Sequence, residues 1–171
     1  LMMFGAFAAA VGGYYAQDAG FGAWAPWVGV LCAIVVGALG SLIHAVASIT
    51  FKADQTISGT VINFLAAGST LYMVKLLFEG AGETPLLAGF SKYKVPLLSD
   101  IPVIGEGIFS SYPTTYLAIV LVVVIYFVLF KTPFGLRLRA VGEHPSAADT
   151  LGVNVNKMRY IGVILSGMLA G

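Results

Sequence analysis

Apolar residues run through this chain in long blocks, and polar residues are confined to the gaps between them. The pattern marks five apolar segments: Leu1 to Tyr15, about Phe21 to Phe51, about Thr56 to Leu77, Thr114 to Phe130, and Tyr160 to Gly171. The three interior segments approach or exceed the roughly 20 apolar residues with which an α-helix crosses a bilayer. The outer two fall short, so the sequence reads as an internal piece of a larger membrane protein with a truncated helix at each end. Phe21 to Phe51 is long enough to cross with a tilt or a break. Trp24 and Trp27 lie near one end of it, where amphipathic rings favour the membrane interface. Lys75 interrupts the third segment and stands at i, i+4 from Glu79, the spacing of an interfacial ion pair. Glu79 to Pro113 is too polar and proline-rich to cross. The expected fold is all-α: one polytopic transmembrane helical bundle over residues 1–171.

Composition agrees with this class. Hydrophobic residues make up 58% of the chain and charged residues 10%, with a mean hydropathy of +0.92. A soluble domain carries about 25% charged residues. The net charge of +1 points to no nucleic-acid partner. Cys32, the sole cysteine, excludes an internal disulfide and a cysteine metal cluster, and reads as a small apolar packing residue. There is no phosphate-binding loop of the G-x-x-x-x-G-K-[ST] type, no H-E-x-x-H, no G-x-S-x-G and no Cys/His cluster. The chain is therefore read as a non-enzyme without a metal site, and any ATP it uses is bound by another subunit. His44 stands alone in an apolar segment. It reads as a packed, neutral, hydrogen-bonded histidine rather than a proton relay.

Small residues recur at four-residue spacing: Gly5, Ala9 and Gly13; Gly37 and Ser41; Gly162, Ser166 and Ala170. Such stripes let helix backbones approach closely.

Two polar stretches carry the candidate chemistry. The first is Lys131 to Arg159, a long basic stretch set between two apolar segments. Placing it in the cytoplasm puts Lys52, Lys131, Arg137, Arg139, Lys157 and Arg159 inside, and Lys75, Lys92 and Lys94 outside, as the positive-inside bias demands. The 79–113 loop is then extracellular. The short Lys52–Gln55 connection is cytoplasmic or embedded in the membrane. Within the basic stretch, Glu143 to Leu151 reads as a short helix. Glu143 and Pro145 suit its start, and Gly152 suits its end. A surface helix carried between two spans is a part built to receive force from a soluble partner. The second stretch is Lys52 to Asn63. It groups Asp54, Gln55, Thr56, Ser58, Gly59, Thr60 and Asn63 beside an apolar span. In a helix, Thr56, Thr60 and Asn63 share one face. Polar groups at membrane depth pair between helices or line a watery path. Both roles stay open here, and hydroxyl and amide groups suit an uncharged, hydroxyl-rich solute.

The run Phe134-Gly-Leu-Arg-Leu-Arg-Ala-Val-Gly-Glu-His-Pro-Ser-Ala-Ala-Asp-Thr-Leu-Gly-Val-Asn154, followed by Leu165-Ser-Gly-Met-Leu-Ala-Gly171, resembles the permease subunits of bacterial ABC importers for simple sugars and nucleosides. His144 stands where that family typically has Asn. Ala53-Asp-Gln-Thr-Ile-Ser-Gly-Thr-Val-Ile-Asn63 looks like the matching segment of the nucleoside branch. The resemblance covers nearly the whole chain. It implies a bundle like that of type II ABC importers, with a cytoplasmic coupling helix. It also implies a second permease, the same or related, a pair of cytoplasmic ATPases and an extracellular or periplasmic solute-binding protein. Localisation would be a bacterial cell membrane. No cofactor would be bound by this chain, since ATP and Mg would act through the ATPase. Glu143, His144, Pro145, Ala147, Ala148, Asp149 and Gly152 become candidates for ATPase coupling, and Gln55, Ser58, Thr60 and Asn63 for the solute path. A nucleoside is the first choice of solute and a ribose- or galactose-like sugar the alternative. An ion-coupled secondary transporter would need buried carboxylates or broken helices at mid-membrane, and only Asp54 comes near that. A membrane-embedded enzyme would need a nucleophile–base or metal set, and none is visible.

Overall fold

The computed structural model describes residues 1–78, 84, 89–90, 93–94 and 110–171. The chain divides into two compact units, Leu1–Leu87 with Pro145–Gly171, and Ala88–His144. Among the described residues the architecture is all-helical apart from one two-residue antiparallel pairing. Among the described residues, three helical stretches are long and apolar enough to cross a membrane: Gly22–Thr50, Gln55–Leu77 and Pro113–Lys131. The expected interior spans are therefore present, each within a few residues of its expected bounds. Most of the 79–113 loop, including Glu79 and its expected pairing with Lys75, lies outside the described residues.

The first unit contains α1 (Met2–Asp18), α2 (Ala25–Ala45), α3 (Gln55–Leu77), α6 (Pro145–Thr150) and α7 (Val155–Ala170). A 3₁₀ turn, Gly22–Trp24, leads into α2, and a π-helical turn, Val46–Thr50, continues it. Helix α2 is central, with α1 and α7 packed along it. Its buried residues are Ala25, Gly29, Ala33, Gly37, Gly40, Ser41 and Ala45. Six of these, from Ala25 to Ala45 in steps of four, form one continuous ridge of small side chains. The ridge brings backbone against backbone. A Cβ added to Gly29 would lie 2.7 Å from the Ala9 carbonyl oxygen, and one added to Gly37 would lie 2.5 Å from that of Gly167. Without a solvent-driven hydrophobic force in lipid, this close fit supplies the attraction.

The stripes on α1 and α2 match expectation, with Gly5 and Gly13 buried and the Ala9 backbone in contact. The stripe on α7 does not. Ser166 and Ala170 are exposed, and Gly167 and Gly171 make the close approach instead. The small residues of α7 offer more than one possible stripe, and only the partner ridge on α2 selects between them. Helices α2 and α7 run antiparallel. Gly171 meets Ala33 near one end, Gly167 meets Gly37 and Ser41, and Tyr160 meets Thr50 near the other. Helix α3 is more lightly held. Ile62, Ala66, Thr70 and Val74 form its buried ridge. Beyond its last turn, Phe78 meets the Tyr14 ring edge-on at 5.2 Å between centroids.

The second unit contains β1 (Tyr93–Lys94), β2 (Ser110–Ser111), α4 (Pro113–Lys131) and α5 (Pro133–Glu143). The strands pair in the register Tyr93↔Ser111 and Lys94↔Ser110. Helix α4 turns into α5 at Thr132, whose side chain accepts from the Gly135 N–H at 3.3 Å and donates to the Val128 carbonyl at 2.5 Å. Gly135 is needed at this corner, since a Cβ there would strike the carbonyls of Val128 and Leu129. Arg139 lies 4.8 Å from the centre of the Phe130 ring, a cation–π contact. Helix α5 was not anticipated as a separate element. Its Phe134, Leu138 and Val141 turn away from solvent while Arg137 and Arg139 are exposed, the i, i+4, i+7 signature of an amphipathic helix.

Candidate functional site

The short helix expected between the apolar segments is present, but it is shorter than the sequence suggests. Glu143 closes α5, and α6 runs only from Pro145 to Thr150. The break falls at His144, which has φ −136° and ψ 86°. Proline disfavours helical backbone in the residue before it, so Pro145 starts one helix by ending another. Glu143 thus stands at a helix C-terminus, where its charge opposes the helix dipole, and not at the N-terminus that made it attractive in sequence.

The end of α6 matches expectation. Gly152 has φ +79°, and its N–H donates to the Asp149 carbonyl at 2.9 Å. The Val153 N–H reaches back to the Ala148 carbonyl at 3.1 Å. These two bonds are the Schellman closure, which favours glycine at this left-handed position. Asn154 then caps α7, its side chain accepting from the Lys157 N–H at 3.0 Å. Only four residues separate the two helices.

Helix α6 presents Ser146, Ala147, Asp149 and Thr150 outward and buries Ala148. Ala147 and Asp149 are exposed on α6, as are Glu143 and His144 at the end of α5. Ala148, expected to sit in a partner's groove, is instead 3% exposed and belongs to the protein's own packing. An open groove of about 590 Å³ follows the corner, lined by Pro145, Ser146, Asp149, Gly152, Asn154 and Asn156 among others. The sequence reading passed over Leu151, which is 82% exposed beside Gly152. Its signal lies in the sequence, as a large apolar residue at the end of a polar helix.

The second candidate set lies at the start of α3. Asp54 caps this helix, accepting from the Thr56 and Ile57 N–H groups at 2.8 and 3.2 Å. The Ile57 and Thr56 bonds hold its carboxyl below the usual aspartate range. Gln55, Thr56, Thr60 and Asn63 are all exposed, and Thr60 donates to the Thr56 carbonyl at 2.9 Å. Ser58 is separated from them. It turns toward α2, where its hydroxyl lies 3.0 Å from Nδ1 of His44. The candidate path residues therefore divide into an outward face and one inward pair. His44 is hydrogen-bonded, as the sequence reading expected. An apolar cavity of about 390 Å³ lies between α1, α2 and α3, lined by Phe4, Phe7, Cys32, Val36, Thr70 and Met73 among others. None of the four path candidates lines it.

Apolar helices packed through small residues, a polar station on α3 and a short helix between α5 and α7 define a membrane-spanning permease component. The chain belongs to the family described as branched-chain amino acid transport system / permease component, whose model matches residues 1–171. It is 53% identical over 173 residues to the guanosine ABC transporter permease protein NupQ of Bacillus subtilis (strain 168), covering 100% of this chain and 54% of that protein. It is 44% identical to the nucleoside ABC transporter permease protein NupC of Lactococcus lactis subsp. cremoris, with the same two coverages. A putative glucose ABC transporter permease protein of Haloferax volcanii, TsgC13, is 36% identical over 85% of this chain and 44% of that protein. The chain thus spans about half the length of the curated relatives it matches. No solved structure matches it. The family is one of transport permease components.

Proposed function

We propose that this chain belongs to a permease that carries a nucleoside across a bacterial cell membrane, driven by a separate ATPase. The observation that carries this reading is its 53% and 44% identity, over its whole length, to guanosine and nucleoside permeases. The weaker match to a glucose permease keeps a simple sugar as the second reading. The partners would be cytoplasmic ABC ATPases, a second copy or a related permease, and an extracellular solute-binding protein. ATP and Mg would act in the ATPase, and this chain would bind no cofactor. The Thr50–Tyr160 contact supports the topology, because it sets the 51–54 connection at the same end of the first unit as the start of α7. Both ends would be cytoplasmic, together with α5 and α6.

The solute reading is tested with the full permease, its ATPase and its binding protein in proteoliposomes. ATP-dependent uptake of labelled guanosine is expected. Uptake of ribose or glucose in its place would favour the sugar reading, and uptake driven by an ion gradient without ATP would overturn both.

In the same reading α6 docks on the ATPase through Ala147, Asp149 and Leu151. Ala147→Arg adds a large charged group to an exposed position and leaves the buried Ala148 untouched. Desolvating an unpaired charge at the contact costs about 3–5 kcal/mol. The permease should insert normally, lose the ATPase on purification and cease to transport. Full ATPase retention with full uptake would remove α6 from the contact.

A further inference from the structure

Two polar pairs tie α2, α3 and α7 together, Thr50 with Tyr160 on α7 and His44 on α2 with Ser58 on α3, and the coupling and path assignments use only Ser58. The geometry points to Thr50 and Tyr160, backed by His44 and Ser58, as positioning residues that carry movement of α6 to the polar face of α3. This inference rests on the transport reading above.

The mechanical links are short at every step. Helix α6 passes into α7 through a closed corner, with the Schellman bonds on one side and the Asn154 cap on the other. A displacement of α6 therefore reaches the first turns of α7 with little slack. Tyr160 lies in those turns, and its hydroxyl is hydrogen-bonded to Oγ1 of Thr50. Thr50 is the last residue of the π turn that continues α2. Such turns carry a wider winding than the helix around them and occur often at functional positions.

The neighbouring backbone bears the marks of this winding. The Phe51 N–H reaches the Val46 carbonyl at 3.2 Å and the Ala53 N–H reaches Ala47 at 3.1 Å. Ser48 donates its hydroxyl to the His44 carbonyl at 2.8 Å, a back-bond that bends helices. Lys52 has φ +53°, an uncommon conformation for a residue with a side chain. One turn before the π turn, His44 bonds Ser58 across to α3. Ser58 sits three residues after Gln55 and five before Asn63, both of them exposed, on α3. Among the described residues, the Asp54 cap and the His44–Ser58 bond are the polar ties that hold the start of α3. Winding or unwinding the π turn would thus rotate or shift the face bearing Gln55, Thr60 and Asn63.

Plain interhelical bonding would show itself differently. It would alter assembly, whereas a joint alters the ratio of uptake to hydrolysis. The test uses the complete importer in proteoliposomes, with guanosine uptake and ATP hydrolysis measured on the same preparation. Tyr160→Phe removes one hydroxyl and Thr50→Val does so without changing shape. Each should lower uptake per ATP about five- to tenfold, the effect of one hydrogen bond on a two-state equilibrium. Hydrolysis and ATPase retention should stay near wild type. Thr50→Ser, which keeps the hydroxyl, should restore coupling. The double variant should be no worse than either single, because both break the same contact. Unchanged uptake per ATP, or loss of assembled complex with normal coupling in what remains, would overturn the joint. A wild-type complex that imports no nucleoside would instead sink the transport reading, and the joint with it.

Discussion

Helices α2 and α4 are both apolar enough to cross a membrane, yet they are used in opposite ways. Helix α2 has seven buried residues, every one Gly, Ala or Ser. Helix α4 has none, and Val122, Val123 and Phe127 stand more than 60% exposed. The difference lies in side-chain size. Helix α4 is built from Val, Leu, Ile and aromatic residues, with Ala118 its one small apolar residue. Bulky apolar side chains are as content in lipid as in protein, so they hold a helix in the membrane without drawing it to a neighbour. Small ones let backbones touch, and that contact is what associates helices in a bilayer. Hydropathy therefore decides where this chain sits, and residue size decides what packs against what.

The largest effect that would break this contrast is expected at the α2–α7 seam. Gly37→Leu places a whole side chain where a single Cβ already meets the Gly167 carbonyl oxygen at 2.5 Å and the Gly171 Cα at 3.0 Å. Overpacking of this kind typically costs about 1–3 kcal/mol and here should exceed it, because the obstacle is backbone and cannot swing aside. The full permease should lose its monodisperse peak in size-exclusion chromatography. A normal peak and a normal melting point would show that the seam is not tightly packed.

A smaller effect sharpens the contrast at the start of α3, which depends more on a polar cap than on packing. The Asp54 carboxyl titrates below its usual range because two backbone N–H groups donate to it. A depressed carboxylate stabilises the fold above its unfolded value and loses that contribution as pH falls through the folded one. Hydrogen exchange of the Thr56–Thr60 amides should therefore rise, relative to the α2 ridge, as pH falls below about 4, the ordinary aspartate value. Asp54→Asn should flatten that dependence while keeping an acceptor at the cap. A dependence unaltered in Asp54→Asn would assign it to another group.

The smallest effect belongs to α4 itself. Val123→Ala trims an exposed side chain and should leave the stability of the permease within about 0.5 kcal/mol of wild type. A large loss there would show that a partner helix covers this face in the full protein.

The candidate site was only half legible in sequence, for similar reasons. Gly152 announced the end of α6, since a helix closed by left-handed backbone favours glycine whatever surrounds it. Its start was misplaced because Glu143 suits a helix N-terminus in composition, while the restraint that Pro145 puts on His144 overrides that preference. Ala147 and Ala148 are the same residue side by side, and nothing local separates them. Tertiary packing buries one and exposes the other. The grouping of Gln55, Ser58, Thr60 and Asn63 was visible as a polar patch, but the turn of Ser58 toward His44 was not.

The sequence by itself determined the membrane class, the three crossing helices, the pair Gly37 and Ser41 on the α2 ridge and the family. These follow from local hydropathy and side-chain size, and from an ordered run of residues, none of which needs a partner to be read. Only the tertiary structure decided which stripe of α7 meets α2, that a π turn follows His44, and that Thr50 and Tyr160 touch from opposite ends of the chain. Each depends on contacts between residues far apart in sequence, where backbone fit and hydrogen-bond geometry select one arrangement among several that the local pattern allows.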